Sequence, residues 1–142
     1  MTNNDAKRLI RKVALAHFKD KKMLLVRDSK NDTVFIMPGG KVEEGETDIE
    51  CLNREVKEEL GIKLEPSSIK FLQEFNGPAH GHGDDVLLNI KIYQAEMIGK
   101  PVPDMDEIVE IRYFDTHDDH KHFSEIGETQ IMPWLKRHGY IN

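Results

Sequence analysis

The segment GGKVEEGETDIECLNREVKEELGI, residues 39 to 62, limits the fold more than any other stretch of the chain. Thr47 followed three residues later by Glu50 forms a capping box, which starts a helix. Gly61 stands where a left-handed residue closes one. Between them Ile49, Leu52, Val56 and Leu60 recur at helical spacing and form one apolar stripe. A helix over 48–60 with such a stripe must bury it against another layer.

The rest of the chain supplies that layer. Alternation and β-branched content predict strands at about 9–18, 22–28, 33–38, 68–76, 85–97 and 107–115. Pro38 with Gly39 and Gly40 is expected to end the third of these. A closing helix is expected over 125–140, with Pro133 near its start. The order of strands, helix, strands, helix predicts an α+β fold, an α/β/α sandwich on a mixed β-sheet. The 142 residues fit one domain, 1–142, that buries a core without a disulfide, and Cys51 is the single cysteine.

The same helix carries an electrostatic conflict. Glu55, Glu58 and Glu59 cluster toward its C-terminal end, on a face about 110° from the apolar stripe. The like-charge pairs at three- and four-residue spacing cost roughly 0.2–0.5 kcal/mol each. Their position against the helix dipole adds about 0.3–1 kcal/mol per charge at most. A packed domain can absorb such a sum, so a solvated acidic face satisfies the energetics. A hard divalent cation also removes the conflict, since Mg²⁺ takes oxygen ligands and bridges to phosphates. Gly39 and Gly40, with no side chains in the way, can bring a backbone carbonyl close to such an ion.

These residues fall in a specific pattern. Gly40, Glu46, Arg54-Glu55, Val56, Glu58-Glu59, Gly61 and Ile62 match all nine constrained positions of a 23-residue signature. On them the segment resembles the Nudix box of the Nudix (MutT-like) pyrophosphohydrolases. The resemblance implies the Nudix-type sandwich and hydrolysis of a nucleoside diphosphate linked to another moiety, with Mg²⁺ as cofactor and Mn²⁺ as a substitute. It implies metal ligands at Glu55, Glu58, Glu59 and the Gly39 carbonyl. It makes Arg54 an orienting residue paired with Glu46. In some members a box glutamate is the general base; in others a carboxylate lies in a loop before a late strand. Here PDMDEIVEIRYF supplies that loop, with Glu107 the first candidate and Glu110 the second. Arg27 matches a position where relatives place a phosphate-binding arginine.

Charge narrows the substrate. A net charge of −6 argues against a long nucleic-acid partner, which wants a basic face. It leaves room for a small nucleotide met by a metal ion. A nucleoside triphosphate, including an oxidised guanine nucleotide, is the leading substrate. ADP-ribose or a dinucleoside polyphosphate is the alternative, with Pro78 near a position used to mark ADP-ribose hydrolases. A Nudix-like module that binds a nucleotide without cleaving it is a further alternative. The apolar runs are far too short to span a membrane, and the opening MTNNDAKR lacks the apolar core of a secretory signal. A cytoplasmic monomer or homodimer is the expectation. The histidine-rich HGHGDD at 80–85 and THDDHKH at 116–122 read as loops, Cys51 as a packing residue and Trp134 as an anchor of the last helix.

Overall fold

Two neighbouring strands show why the chain builds three layers. In Arg8–Ala16, Val13 and Leu15 point to one side, while Ile10, Ala14 and Ala16 point to the other. In Lys22–Asp28, Leu24 and Val26 join the first side, and Met23 and Leu25 the second. Both faces are buried, so these strands read as near-continuous apolar runs rather than clean alternation.

The computed structural model describes residues 8–79 and 85–142. In chain order the strands are β1 (Arg8–Ala16), β2 (Phe18–Lys19), β3 (Lys22–Asp28) and β4 (Gly39–Lys41). After helix α1 (Asp48–Leu60) come β5 (Lys63–Leu64), β6 (Lys70–Pro78), β7 (Val86–Gln94), β8 (Met97–Ile98) and β9 (Ile108–Phe114), and helix α2 (Met132–Arg137) closes the chain. The main sheet has the order β4-β1-β7-β6. It is mixed: β1 and β7 run parallel, while β4 and β6 are antiparallel to their neighbours. β2, β3 and β9 form an antiparallel sheet, and β5 with β8 a short ladder.

The layers follow from the side-chain directions. Leu52, Val56 and Leu60 of α1 pack on Val13, Leu15, Leu24 and Val26. Ile131, Met132 and Leu135 at the closing helix pack on the opposite face with Ile10, Ala14 and Leu25. The α/β/α sandwich on a mixed sheet is therefore the fold.

The strands expected over 9–18 and 85–97 each break near their ends, into β1 with β2 and β7 with β8, and two further elements differ from the sequence reading. Residues 33–38 form no strand of their own. Ile36 and Phe35 make only single bridges, to Val26 and Phe123, and the ladder begins at Gly39, inside the glycine pair expected to end it. The closing helix is interrupted by a π turn at Gly127–Ile131, where the Met132 N–H reaches back to the Gly127 carbonyl. Pro133 cannot donate a backbone hydrogen bond, and the chain widens by one residue just before it. The stretch 80–84, most of the HGHGDD segment, lies outside the described residues, as do residues 1–7.

Candidate metal and substrate site

α1 is built as its sequence requires. The Thr47 hydroxyl accepts the Glu50 N–H at 3.1 Å, and the Glu50 carboxylate accepts the Thr47 N–H at 2.9 Å. Gly61 closes the helix at φ 66°. The last turn has a second set of partners: the Val102 N–H donates to the Leu60 carbonyl at 3.0 Å, and the Asp104 N–H to the Glu59 carbonyl at 3.1 Å. These bonds satisfy two of the carbonyls a helix end leaves open. They also dock the segment leading to Glu107 on the same end of α1.

Gly39 and Gly40 bring β4 against both β1 and the helix. A Cβ on Gly39 would lie 2.0 Å from the Val13 carbonyl oxygen, and its φ of +146° belongs to glycine. A Cβ on Gly40 would lie 2.3 Å from the Glu55 carboxyl carbon. The Glu55 carboxylate thus rests in the space that a side chain at position 40 would fill. Glu59 accepts the Gly39 N–H at 3.0 Å.

The three helix carboxylates are not equivalent. Glu59 is buried at 7% exposure, and burial pushes its carboxyl up to about 8. Burial also raises Glu55, against the opposing pull of Arg54. Glu58 is open to solvent. Arg54 sits among them, with its Nε 2.7 Å from Glu46, a second nitrogen 2.9 Å from Glu55 and Glu58 at 3.5 Å. The guanidinium holds the Glu46 carboxyl down to about 2. The Arg54–Glu46 pairing expected from the sequence is therefore present as a two-nitrogen contact, since another Arg54 nitrogen reaches Glu46 at 3.0 Å.

The remaining candidates separate. Glu107 is exposed, and its charge is felt by both Glu55 and Glu59. Glu110 is paired with Arg27 at 3.0 Å and Arg112 at 3.8 Å. Arg27 also donates to the Asn31 carbonyl at 2.7 Å, so its guanidinium is held between Glu110 of β9 and the turn that follows β3. The 116–122 histidines each have a protein partner: His117 lies 3.4 Å from Asp115, His120 contacts Glu128, and His122 reaches across the fold to the Thr33 carbonyl. Among the described residues no three His, Cys, Asp or Glu side chains already converge as a metal cage. None of the described helices is long and apolar enough to cross a membrane. Cys51 is buried with its thiol 3.2 Å from the Lys41 carbonyl. Trp134 is half-buried on the α2 core and stacks on His138, with ring centres 4.0 Å apart.

A cavity of about 230 Å³ opens beside this cluster, between the main sheet and the closing helix. Ile10, Leu88 and Ile90 line it from the sheet, Ile131 and Met132 from the helix, and Gly39 and Gly40 at its edge. Its charged lining residues are Lys12 and Asp28, neither singled out from the sequence. The signal was available for Lys12, which stands between the apolar Ile10 and Ala14 on one face of the strand.

The chain matches the NUDIX domain family over residues 8–135. It belongs to the NUDIX family of hydrolases. Within that family it is 39% identical over 59 residues to the human (Homo sapiens) 8-oxo-dGDP phosphatase NUDT18, a stretch covering 40% of this chain and 18% of that protein. The matched stretch is thus under a fifth of the length of that curated relative. The fold superposes on a MutT NUDIX hydrolase from Burkholderia pseudomallei with a TM-score of 0.69 at 23% identity, covering 84% of this chain and 92% of that one. It superposes on a UDP-X diphosphatase with a TM-score of 0.73 at 22% identity, covering 92% and 64%.

Proposed function

We propose that this NUDIX protein is a Mg²⁺-dependent hydrolase that cuts the diphosphate linkage of a mononucleotide, with Mn²⁺ able to replace Mg²⁺. The observation that carries the reading is the junction at Gly39 and Gly40, where an apolar cavity meets the Glu55 and Glu59 carboxylates. A base can lie in the cavity while the phosphates reach the helix. The cavity falls below the usual range of about 300–1,000 Å³ for ligand pockets, which favours one base over a dinucleotide.

The residues present fit a hard divalent cation. Glu55, Glu58, Glu59 and the Gly39 carbonyl offer only oxygen, the donor such ions take, and Gly40 leaves the gap in which Glu55 rests. A cation bound there supplies charge neutralisation at the phosphates and acidifies an attacking water. Arg54 orients Glu55 while Glu46 holds Arg54 in place. Glu107 is the proposed general base: it is exposed, ionisable and within electrostatic reach of the same carboxylates. Glu110 is a poorer candidate because two arginines already hold it.

The nucleotide is proposed to be a nucleoside di- or triphosphate. The likeness to an 8-oxo-dGDP phosphatase puts oxidised guanine nucleotides first in the test. The test is a Mg²⁺-dependent hydrolysis panel with product identification, covering canonical and oxidised nucleoside di- and triphosphates, ADP-ribose and dinucleoside polyphosphates. Glu58→Gln is the control. Release of a nucleoside monophosphate, lost in the variant, supports the proposal. Turnover of ADP-ribose alone, or none at all, overturns it.

A further inference from the structure

Lys12 is an outlier in its surroundings. It lies on the face of β1 that carries Ile10 and Ala14, and its side chain lines the cavity between them and Ile90. Among the described residues its ammonium makes no hydrogen bond and no ion pair. Glu59, Glu55 and Asp28 surround it closely enough to act on its charge, yet none comes within ion-pair reach. Lys41, directly across on β4, adds a like charge.

A partly buried ammonium without a partner is costly. Burial lowers its affinity for the proton, and Glu59 only partly restores it. A strand facing an apolar layer would be more stable with an aliphatic residue at that position. The polar groups of a ligand pocket are few and serve to fix the ligand. Lys12 also stands where the apolar part of the cavity gives way to the carboxylates.

We propose that Lys12 is a substrate-recognition residue whose ammonium donates to an acceptor oxygen of the bound nucleotide, either a base oxo group or a phosphoryl oxygen. This rests on the proposed nucleotide reading of the same site. An ammonium has three donors and no acceptor. It therefore discriminates against a ligand that presents an amino group at the contact. The ligand oxygen supplies the partner that the protein withholds.

The test compares wild type with Lys12→Met, which keeps the length of the side chain and removes its charge, and with Lys12→Arg. Inosine and adenosine nucleotides with identical phosphate chains are the probes, because they exchange an oxo group for an amino group at one ring position. Thermal stability with and without nucleotide is measured alongside kcat and KM. Lys12→Met is expected to keep or raise the melting temperature of the free protein. Its kcat/KM is expected to fall about tenfold to a hundredfold, mainly through KM, with partial recovery in Lys12→Arg. A loss confined to inosine nucleotides places the contact on the base, and an equal loss on both places it on a phosphoryl oxygen; either supports the proposal. Unchanged KM in Lys12→Met overturns it, as does a fall in stability that accounts for the loss of activity. A wild type that shows a nucleotide-induced melting shift without turnover removes the hydrolase reading alone. The loss of that shift in Lys12→Met still decides the role of Lys12.

Discussion

The Glu59 carboxylate accepts the backbone N–H of Gly39 at 3.0 Å, across the line where α1 meets β4. One acidic side chain thus joins the helix to the glycine turn, and it does so from a buried position. The protonation of Glu59 is therefore linked to folding and, in the proposed site, to metal binding. Its carboxyl is pushed up to about 8, whereas an unfolded glutamate titrates near ~4.3. Between those values the native state holds a proton that the unfolded state has released. Stability without metal is then expected to fall as pH rises from about 4.5 to 8, by up to ~1.4 kcal/mol per pH unit from this group. Glu59→Gln should flatten that slope in denaturant titrations at pH 5, 6.5 and 8 with chelator present. Parallel curves for the two proteins would remove the linkage.

In the proposed site, a cation held by Glu59 would have to displace the same proton. Adding Mg²⁺ is expected to stabilise the protein more at pH 8 than at pH 6, and to release protons on binding. Calorimetry in buffers of different ionisation enthalpy measures the release directly. Equal stabilisation at both pH values would contradict the assignment of Glu59 as a ligand.

Arg54 connects Glu46 to Glu55, so Glu46 acts on the site at one remove. Glu46→Gln is expected to lower kcat about 10–100-fold, as loss of an outer partner does, with little change in KM. The Glu46 carboxyl is held near 2 by Arg54. The pair's contribution to stability is therefore present above about pH 4.5 and is lost as pH falls toward 2. A double-mutant cycle with Arg54→Met and Glu46→Gln should show coupling in kcat; additive effects would separate the two residues.

Gly40→Ala should disable the site while leaving much of the fold. Its Cβ would collide with the Glu55 carboxylate, and a side chain can swing away more cheaply than backbone can move. Loss of Mg²⁺-induced stabilisation with a retained melting transition is the expected pattern. Gly39→Ala is the contrasting case. It meets the Val13 carbonyl and a glycine-only conformation, so destabilisation of about 1–3 kcal/mol from backbone strain alone is expected. Equal melting temperatures for the two variants would refute this distinction.

Cys51 is expected to be chemically silent in the folded protein. Its thiol is buried and pushed up to about 12, so little thiolate exists at neutral pH. Alkylation by iodoacetamide should follow the urea unfolding curve. Rapid labelling of the native protein would show an opening of α1 from β4.

The helix was legible because its signals are local. Thr47, Glu50 and Gly61 act within a turn of themselves, and the apolar stripe needs only a period. The differing fates of the three glutamates were less visible. Glu59 lies only about 20° from Leu52 around the helix, at the margin of the stripe, and so is buried while Glu58 stays in water. Treating them as one face hid that difference. The cavity was invisible for another reason: Ile10, Leu88 and Met132 come from separate elements, and only the fold makes them neighbours. Arg27 carried no local sign that Glu110, far along the chain on β9, would hold it. The 33–38 stretch has strand composition but finds only single bridges beside it, so propensity there had no ladder to extend.

The π turn at Gly127–Ile131 gives the ceiling of the cavity an unusual kind of adjustability. The turn holds one residue more than an ordinary helical turn, so Ile126 before it and Met132 after it keep their faces toward the cavity. Deleting one residue there would restore ordinary helical bonding without turning Met132 away. Chain length can change at this point while the wall on either side stays in place. The same deletion from the regular turns of α1 would rotate every later side chain of that helix by about 100°.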